Sequence, residues 1–337
     1  MNAPSTLPIR HAGINLGYGH VKIKTSTQYL QYASLARPAL VADKVEVAGF
    51  TAAKVQRIEL NGQTWLVGAE AALSGDRATD RTSFSNWGSS EVYAALRQSI
   101  LDRLAEESLG PWVLMLGMPV DQFQDEGYRR QLIGSWRRSH TTIHGALQIE
   151  QVAATPEPLG AFWEYALSVN DSFARVQQSE VLIVDMGHFT TDLSVVNRMV
   201  LNTQMGGSKA TGMRDVYRGL AEHLRSHHAV RYSQLEVEMA ALQQWPIRVR
   251  GNPLDLTEEL NAVAHPVIAD LIRWLRSQVD FARGLVLVAG GGAPLLTGVL
   301  REAYPSAEIV LMPHPQQANA RGYFRMAQQL RDAATVL

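Results

Sequence analysis

The sequence predicts an α/β protein of two domains, and three observations predict it. The chain has 337 residues, about twice the length of an ordinary domain. Short apolar runs alternate with longer stretches of helical spacing. Halfway along, the succession restarts, so that each half opens on a glycine-bearing hairpin and then alternates strands with helices.

Taken in order, Ala12 to Ile14 and Val21 to Thr25 flank the turn Gly17-Tyr18-Gly19, a glycine-rich hairpin. Trp65 to Gly68 is a short strand, and Ala94 to Leu104 has helical spacing through Leu96, Ile100 and Leu104. Trp112 to Leu116 is a buried strand that ends at Gly117-Met118-Pro119. Arg129 to Arg138 and Ala161 to Val169, the latter just after Pro158, are helical. The second half begins with the apolar strand Val181 to Val184 and its partner Leu193 to Val196. Helices follow from about Met213 to His228 and from Thr257 to Val279. The second shows an apolar face of Leu260, Val263, Val267, Leu271, Leu275 and Val279. Pro266 is expected to kink or split it. Leu285 to Ala289 is a strand, and Pro294 falls where a helix starts without needing a donor.

Composition narrows the function. Hydrophobic residues make up 46% and charged residues 19%, with 31 Lys+Arg against 32 Asp+Glu. A net charge of -1 argues against a protein that coats DNA or an anionic membrane by itself. Zero cysteines exclude thiol catalysis, disulfides and cysteine-ligated metals. No apolar run approaches the ~20 residues of a membrane helix, and none precedes a cleavage site near Met1, so a soluble cytoplasmic protein is expected.

Three turns carry the chemistry. In Val181-Leu-Ile-Val-Asp185-Met-Gly187-His188-Phe-Thr190-Thr191-Asp192 a buried strand delivers a carboxylate at its end. Glycine then opens a turn, and a second carboxylate begins the return strand. Carboxylates at a strand tip suit hydrated Mg²⁺, which prefers oxygen ligands, and amides in a tight turn suit phosphate oxygens. A plain hairpin with an Asx-type turn has the same pattern. In Asn15-Leu-Gly17-Tyr18-Gly19-His20-Val-Lys22, two glycines permit close backbone approach, and Lys22 offers an ammonium to a phosphate. It is no dinucleotide fingerprint, since Lys22 holds the third glycine position, and the chain contains no P-loop. Taken alone, a plain hairpin turn accounts for it better. In Gly290-Gly291-Gly292-Ala293-Pro294 a strand runs into a helix start with room for a sugar or phosphate, or simply for tight packing.

The order of these turns resembles the nucleotide site of the actin, sugar-kinase and heat-shock-chaperone ATPase superfamily. Asn15 to Lys22 resembles its first phosphate loop, Asp185 to Asp192 its second, and Gly290 to Gly292 with Ala293 its adenosine loop. Thr155-Pro-Glu157-Pro-Leu-Gly160 looks like the first connecting segment, where the family places a water-orienting Glu or Gln. Gln317-Ala-Asn319-Ala-Arg-Gly322 resembles the second, and Gly206-Gly207 a further turn lining the nucleotide cleft. Within the superfamily the likeness is to plasmid-segregation actin-like ATPases of the ParM/StbA type, including PRTRC system protein D. Trp65 to Ala71 with Glu70, and Leu116 to Val120, add to it.

The resemblance implies two ribonuclease-H-like domains with a nucleotide cleft between them: residues 1–162, rejoined by a terminal helix at 323–337, and residues 163–322. It implies ATP (or GTP) with Mg²⁺ held through water by Asp185 and Asn15, and Asp192 nearby. Lys22 and the amides of Gly19, Gly187 and His188 would neutralise phosphate charge, and Glu157 would position the lytic water. Asn15 departs from the family's Asp: it keeps the shape and loses the charge. The implied function is a nucleotide-dependent filament that segregates plasmid DNA through an adaptor protein, with no direct grip on nucleic acid. Rivals are a slow or non-hydrolysing scaffold, which Asn15 keeps open, and a small-molecule kinase, for which no sugar-kinase signature is seen. A chaperone ATPase would need a separate peptide-binding domain. His223 and His227 have zinc-binding spacing, but Leu224 replaces the metalloprotease Glu, so a solvated helix end is expected. The arginines from Arg129 to Arg138 are read as a solvated helix face.

Overall fold

The computed structural model describes residues 8–40, 56–69, 71, 87–137, 139–168, 171–242, 246–279 and 284–334. Glu70, Arg138, Val169 and residues 335–337, which belong to expected elements or motifs, lie outside them. Residues through Glu164 together with those from Asn319 onward form one compact unit, and Tyr165–Ala318 form the second. Among the described residues no helix is long and apolar enough to cross a membrane.

The chain begins with β1 (Arg10–Leu16), β2 (His20–Lys24), β3 (Tyr29–Ala33), β4 (Ala36–Pro38), β5 (Gln56–Leu60) and β6 (Gln63–Val67). It continues with α1 (Glu91–Glu107), β7 (Trp112–Met118), α2 (Val120–Gln124), α3 (Glu126–Trp136), β8 (Ser139–Thr142), β9 (Gly145–Pro156) and α4 (Pro158–Ser168). The main sheet of this unit has the order β3-β2-β1-β7-β9-β8, with β1, β7 and β9 parallel and the rest antiparallel. A second sheet, β4-β6-β5, stands beside it in sequence. Leu96, Ile100 and Leu104 of α1 pack in one core with Ile14, Val21, Ile23, Trp112 and Leu114. The spacing of those α1 residues is the helical period, so a single stripe of the helix is spent on the sheet.

The last helix of the chain, Ala318–Ala334, belongs to this unit from Asn319 onward. Tyr323 and Ala327 pack on Val113 and Met115. Close approach there depends on missing side chains: a Cβ on Gly322 would stand 1.7 Å from the carbonyl oxygen of Gly160.

The second unit contains α5 (Ser172–Gln178), β10 (Glu180–Met186), β11 (Thr191–Asn197), β12 (Val200–Lys209), α6 (Met213–His228) and α7 (Gln234–Ala241). It continues with β13 (Arg248–Val249), β14 (Asn252–Pro253), α8 (Thr257–Gln278), β15 (Gly284–Ala289), α9 (Ala293–Ala303) and β16 (Ala307–Leu311). The closing helix α10 spans Ala318–Ala334. The sheet order is β12-β11-β10-β15-β16, with β10, β15 and β16 parallel. Val181, Leu182, Ile183 and Val184 are all fully buried. A parallel strand covered on both faces has no polar alternation, which is why this run reads as continuously apolar. Helices α6, α8 and α9 share a core with β10 through Leu220, Leu271, Leu296 and Leu182.

Two expectations about α8 are corrected. Pro266 does not split it, for the helix runs through all 22 residues. Pro266 is exposed, while Ala264, Ile268, Leu271 and Leu275 are buried. At 100° per residue the proline stands opposite that stripe, so the carbonyl that loses its donor faces water. The apolar face is also rotated: Leu260, Val263 and Val267 sit partly buried at its edge, and Ala264, Ile268 and Ile272 take its centre.

Candidate functional site

The second unit assembles two of the predicted turns around one carboxylate. Asp185, next to last in β10, lies directly opposite Asp192 on β11 and level with Ala289 on β15. The residue after Ala289 is Gly290, with φ +89°. A Cβ there would stand 2.3 Å from Asp185 Oδ1 and 2.4 Å from the Met186 carbonyl oxygen. Glycine thus supplies both the left-handed backbone and the space the Asp185 carboxylate occupies. The next residue, Gly291, is exposed, and a Cβ on it would meet nothing closer than Gln316 Nε2 at 3.9 Å. Gly292 donates its amide to the Met186 carbonyl at 3.0 Å, locking this turn onto the end of β10.

Opposed carboxylates in one ladder repel, and the structure treats the two differently. Asp192 is 1% exposed and accepts hydrogen bonds from Thr190 Oγ1 at 2.7 Å and from Ser208 Oγ. Hydroxyls from its own turn and from β12 therefore stabilise its charge. Asp185, 4% exposed, lies against the glycine turn.

The hairpin turn is aimed by α6. The carbonyls of Gly187 and His188 accept from the amides of Met213 and Arg214 at 3.0 and 2.8 Å, satisfying donors a helix start leaves open. In a trans peptide the N–H points opposite to the C=O, so the amides of His188 and Phe189 are directed away from α6. The Gly187 amide, expected to meet phosphate, instead closes the turn by bonding the Thr190 carbonyl at 2.9 Å. The Phe189 amide is one of the two directed away from α6. Arg214 adds positive charge, its guanidinium carbon 4.4 Å from the centroid of the Phe189 ring.

Gly206 and Gly207 are corrected from a turn before a helix to residues of β12 itself. They stand opposite Ser194 and Leu193, with φ +140° and +153°, beside the register shift at Ser194/Val195. Ser208 follows opposite Asp192, so the irregular stretch places the hydroxyl that binds it. Gly212 immediately precedes α6. A Cβ there would lie 2.7 Å from the His188 carbonyl oxygen, which explains glycine at the start of α6.

The first unit presents a hairpin of similar build. Asn15, 4% exposed, lies opposite Lys22. A Cβ on Gly17 would stand 2.9 Å from Asn15 Oδ1, so here too a glycine makes room for a strand-end oxygen. The carbonyls of Leu16, Gly17 and Gly19 accept from Trp87 Nε1, Ser34 Oγ and the Ser34 amide. The amides of Gly17, Tyr18 and His20 consequently point away from those partners. Tyr18 is held by Gln122 Nε2 at 2.9 Å and by the Trp87 ring at 5.2 Å. Glu157 joins β9 to α4; its amide donates to the Met118 carbonyl at 2.8 Å, and its carbonyl accepts from Tyr323 OH at 2.8 Å. Asn319 Oδ1 accepts from the Ala161 amide at 3.1 Å, so the second connecting motif caps α4. His223 and His227 stack at 4.0 Å on α6, and no group of three or more metal-binding side chains forms among the described residues.

Two family models match the chain: "Actin like proteins N terminal domain" over residues 13–160, and "Archaeal actin homologue MreB-like, C-terminal" over residues 183–302. No curated protein matches the sequence. Among solved structures, the archaeal actin homologue Ta0583 is similar with a TM-score of 0.75 at 16% identity, over 95% of this chain and 99% of that one. A Clostridium botulinum ParM in a 15-stranded filament gives 0.73 at 18% identity, over 96% and 100%. The actin-like protein Alp7A gives 0.73 at 12% identity, over 98% and 99%. With family models matched in both halves and actin-fold structures along nearly its whole length, the chain is an actin-like protein, with ParM-type proteins among its structural neighbours.

Proposed function

We propose that this chain binds ATP (or GTP) with Mg²⁺ and polymerises into nucleotide-dependent filaments that segregate plasmid DNA through an adaptor protein. The observation that carries the nucleotide reading is the Asp185 carboxylate seated over Gly290, beside a turn whose His188 and Phe189 amides are directed outward from α6. Oxygen donors of this kind suit Mg²⁺, which keeps several waters and takes one or two carboxylates together with substrate phosphates. Bound there, the ion would offset phosphate charge. Asp185 and Asn15 are the residues assigned to its water shell. Lys22 and the outward amides of each hairpin are assigned to phosphate, and Glu157 to the lytic water. Ta0583 was solved in complex with ADP, which supports a nucleotide for a chain of the same fold. The C. botulinum ParM and Alp12 structures are filaments, which supports self-association.

Light scattering of the purified protein tests the proposal. Signal that grows on adding ATP and Mg²⁺ and decays with nucleotide turnover supports it; a flat trace with every nucleotide refutes polymerisation. Asn15 favours one second reading, a scaffold in which nucleotide is a slowly hydrolysed conformational ligand. Asn15→Asp then raises both Mg²⁺ affinity and turnover, whereas an unchanged rate would remove Asn15 as the cause.

A further inference from the structure

His188 stands in the turn between β10 and β11, yet its side chain is only 7% exposed. Its Nδ1 lies 3.6 Å from Oε1 of Glu238, whose own side chain is 2% exposed. Phe189 and Tyr217 flank the imidazole at 5.0 and 6.1 Å between centroids. Glu238 sits mid-way along α7 between Val237 and Met239, both buried. A carboxylate in such surroundings is costly unless a cationic or hydrogen-bonding partner meets it. A helix interior needs no glutamate for its own sake, so the acid points to a task set by its neighbour.

The charged groups around the turn each have a place. Arg214 lies over Phe189 and 3.7 Å from Asp215, Asp215 also binds Arg218 and the Gly212 amide, and Asp192 is held by hydroxyls. Glu238 reaches the turn from α7, through His188. The His188 carbonyl is already fixed by Arg214 on α6. With the Glu238 carboxylate 3.6 Å from the ring, an ion-pair distance longer than a hydrogen bond, and α6 on the carbonyl, His188 is approached by two helices, and its amide is directed away from α6.

We propose that Glu238 is a positioning residue for the anion-binding turn: its carboxylate holds the His188 ring and thereby fixes the aim of the His188 and Phe189 amides. The proposal rests on the nucleotide reading above and deepens it, since α7 becomes the element that sets how tightly phosphate is held. By linkage, a bound nucleotide would in turn steady α7.

A fluorescent ATP analogue with Mg²⁺ measures the effect in wild type, Glu238→Gln, His188→Asn and the double variant. Glu238→Gln keeps the shape and removes the charge, and affinity is expected to fall about tenfold or more. The double variant is expected to bind no more weakly than the weaker single one, the mark of two residues acting as a unit. NMR of ¹⁵N-histidine-labelled protein supplies a readout that mere packing would not move. The ring nitrogen shifts of His188 are expected to differ between wild type and Glu238→Gln at the same pH. Should Glu238→Gln not fold, Glu238→Asp, with a shortened carboxylate, is expected to bind with intermediate affinity. Unchanged affinity in the folded charge-removing variants, or an unchanged ring signature, would overturn the positioning role alone. Wild-type protein that binds no nucleotide would overturn the functional reading and the role with it.

Discussion

Replacing Gly290 with alanine tests how the glycine turn and the carboxylate are joined. The new methyl carbon would stand 2.3 Å from Asp185 Oδ1 and 2.4 Å from the Met186 carbonyl oxygen. The side-chain oxygen can swing aside, but the carbonyl belongs to a paired strand and cannot. Alanine at φ +89° costs roughly 1–2 kcal/mol, and forced overpacking costs roughly 1–3 more. The sum, about 2–5 kcal/mol, corresponds to a fall in melting temperature of about 5–20 °C for a domain of this size. Displacing Asp185 also removes a charged contact worth about 1.5–3 kcal/mol, or about ten- to a hundredfold in Mg²⁺-nucleotide affinity. Gly291→Ala is the control, because its methyl meets nothing nearer than 3.9 Å. It should leave melting within about 1–2 °C while still crowding a ligand lying on that backbone. Calorimetric melting and titration of a fluorescent nucleotide read both effects. A Gly290→Ala protein that melts and binds like wild type would refute this coupling.

Other expectations follow from the same geometry. Gly322→Ala should cost about 3 kcal/mol or more in urea unfolding, since its methyl would lie 1.7 Å from the Gly160 carbonyl oxygen, whereas Gly298→Ala in α9 has open space and should stabilise by about 0.5–1 kcal/mol. Thr190→Val leaves the buried Asp192 short of a donor and should destabilise by about 1–3 kcal/mol, measured by the urea midpoint. Glu157→Ala should lower ATP turnover ~100-fold or more while sparing nucleotide affinity; equal loss of both would remove its assigned role. Asp102, 4% exposed, is held above the usual carboxylate range by burial, against hydrogen bonds from Gln98 and the Ile143 amide. The folded chain therefore binds this proton more tightly than the unfolded chain does. The stability it contributes is complete below the ordinary carboxylate value and is lost as pH rises through the raised one. Asp102→Asn should raise the urea midpoint at pH 7, with the gain fading toward pH 4; an equal gain at both would show another cause.

How far the site could be read from the sequence differs from residue to residue. β10 and β15 were plain because strands covered on both faces carry unbroken apolar runs, and those runs end on Asp185 and Gly290. That these two residues touch follows only from the register of β10 against β15, which no local pattern encodes. Asp185 and Asp192 look alike in sequence; Ser208, brought opposite Asp192 by β12, separates their roles. The glycine at 187 marks a turn without saying which amide the turn consumes, and the answer lay in Thr190 and α6. β9 went unread because it changes partners along its length: its first residues pair with β8 antiparallel and its later ones with β7 parallel. β12 went unread because it buries almost nothing at an edge of its sheet. Pro266 misled because its cost depends on which side of the helix it faces, a matter settled by tertiary packing.

The most direct test of nucleotide binding at the Asp185 hairpin is a crystal structure of the protein grown with Mg²⁺ and a non-hydrolysable ATP analogue. Phosphate oxygens are expected on the His188 and Phe189 amides, the metal's water shell on Asp185, and the nucleoside against Gly290–Gly292. A well-ordered nucleotide bound elsewhere, with the Asp185 hairpin and the glycine turn untouched, would contradict it.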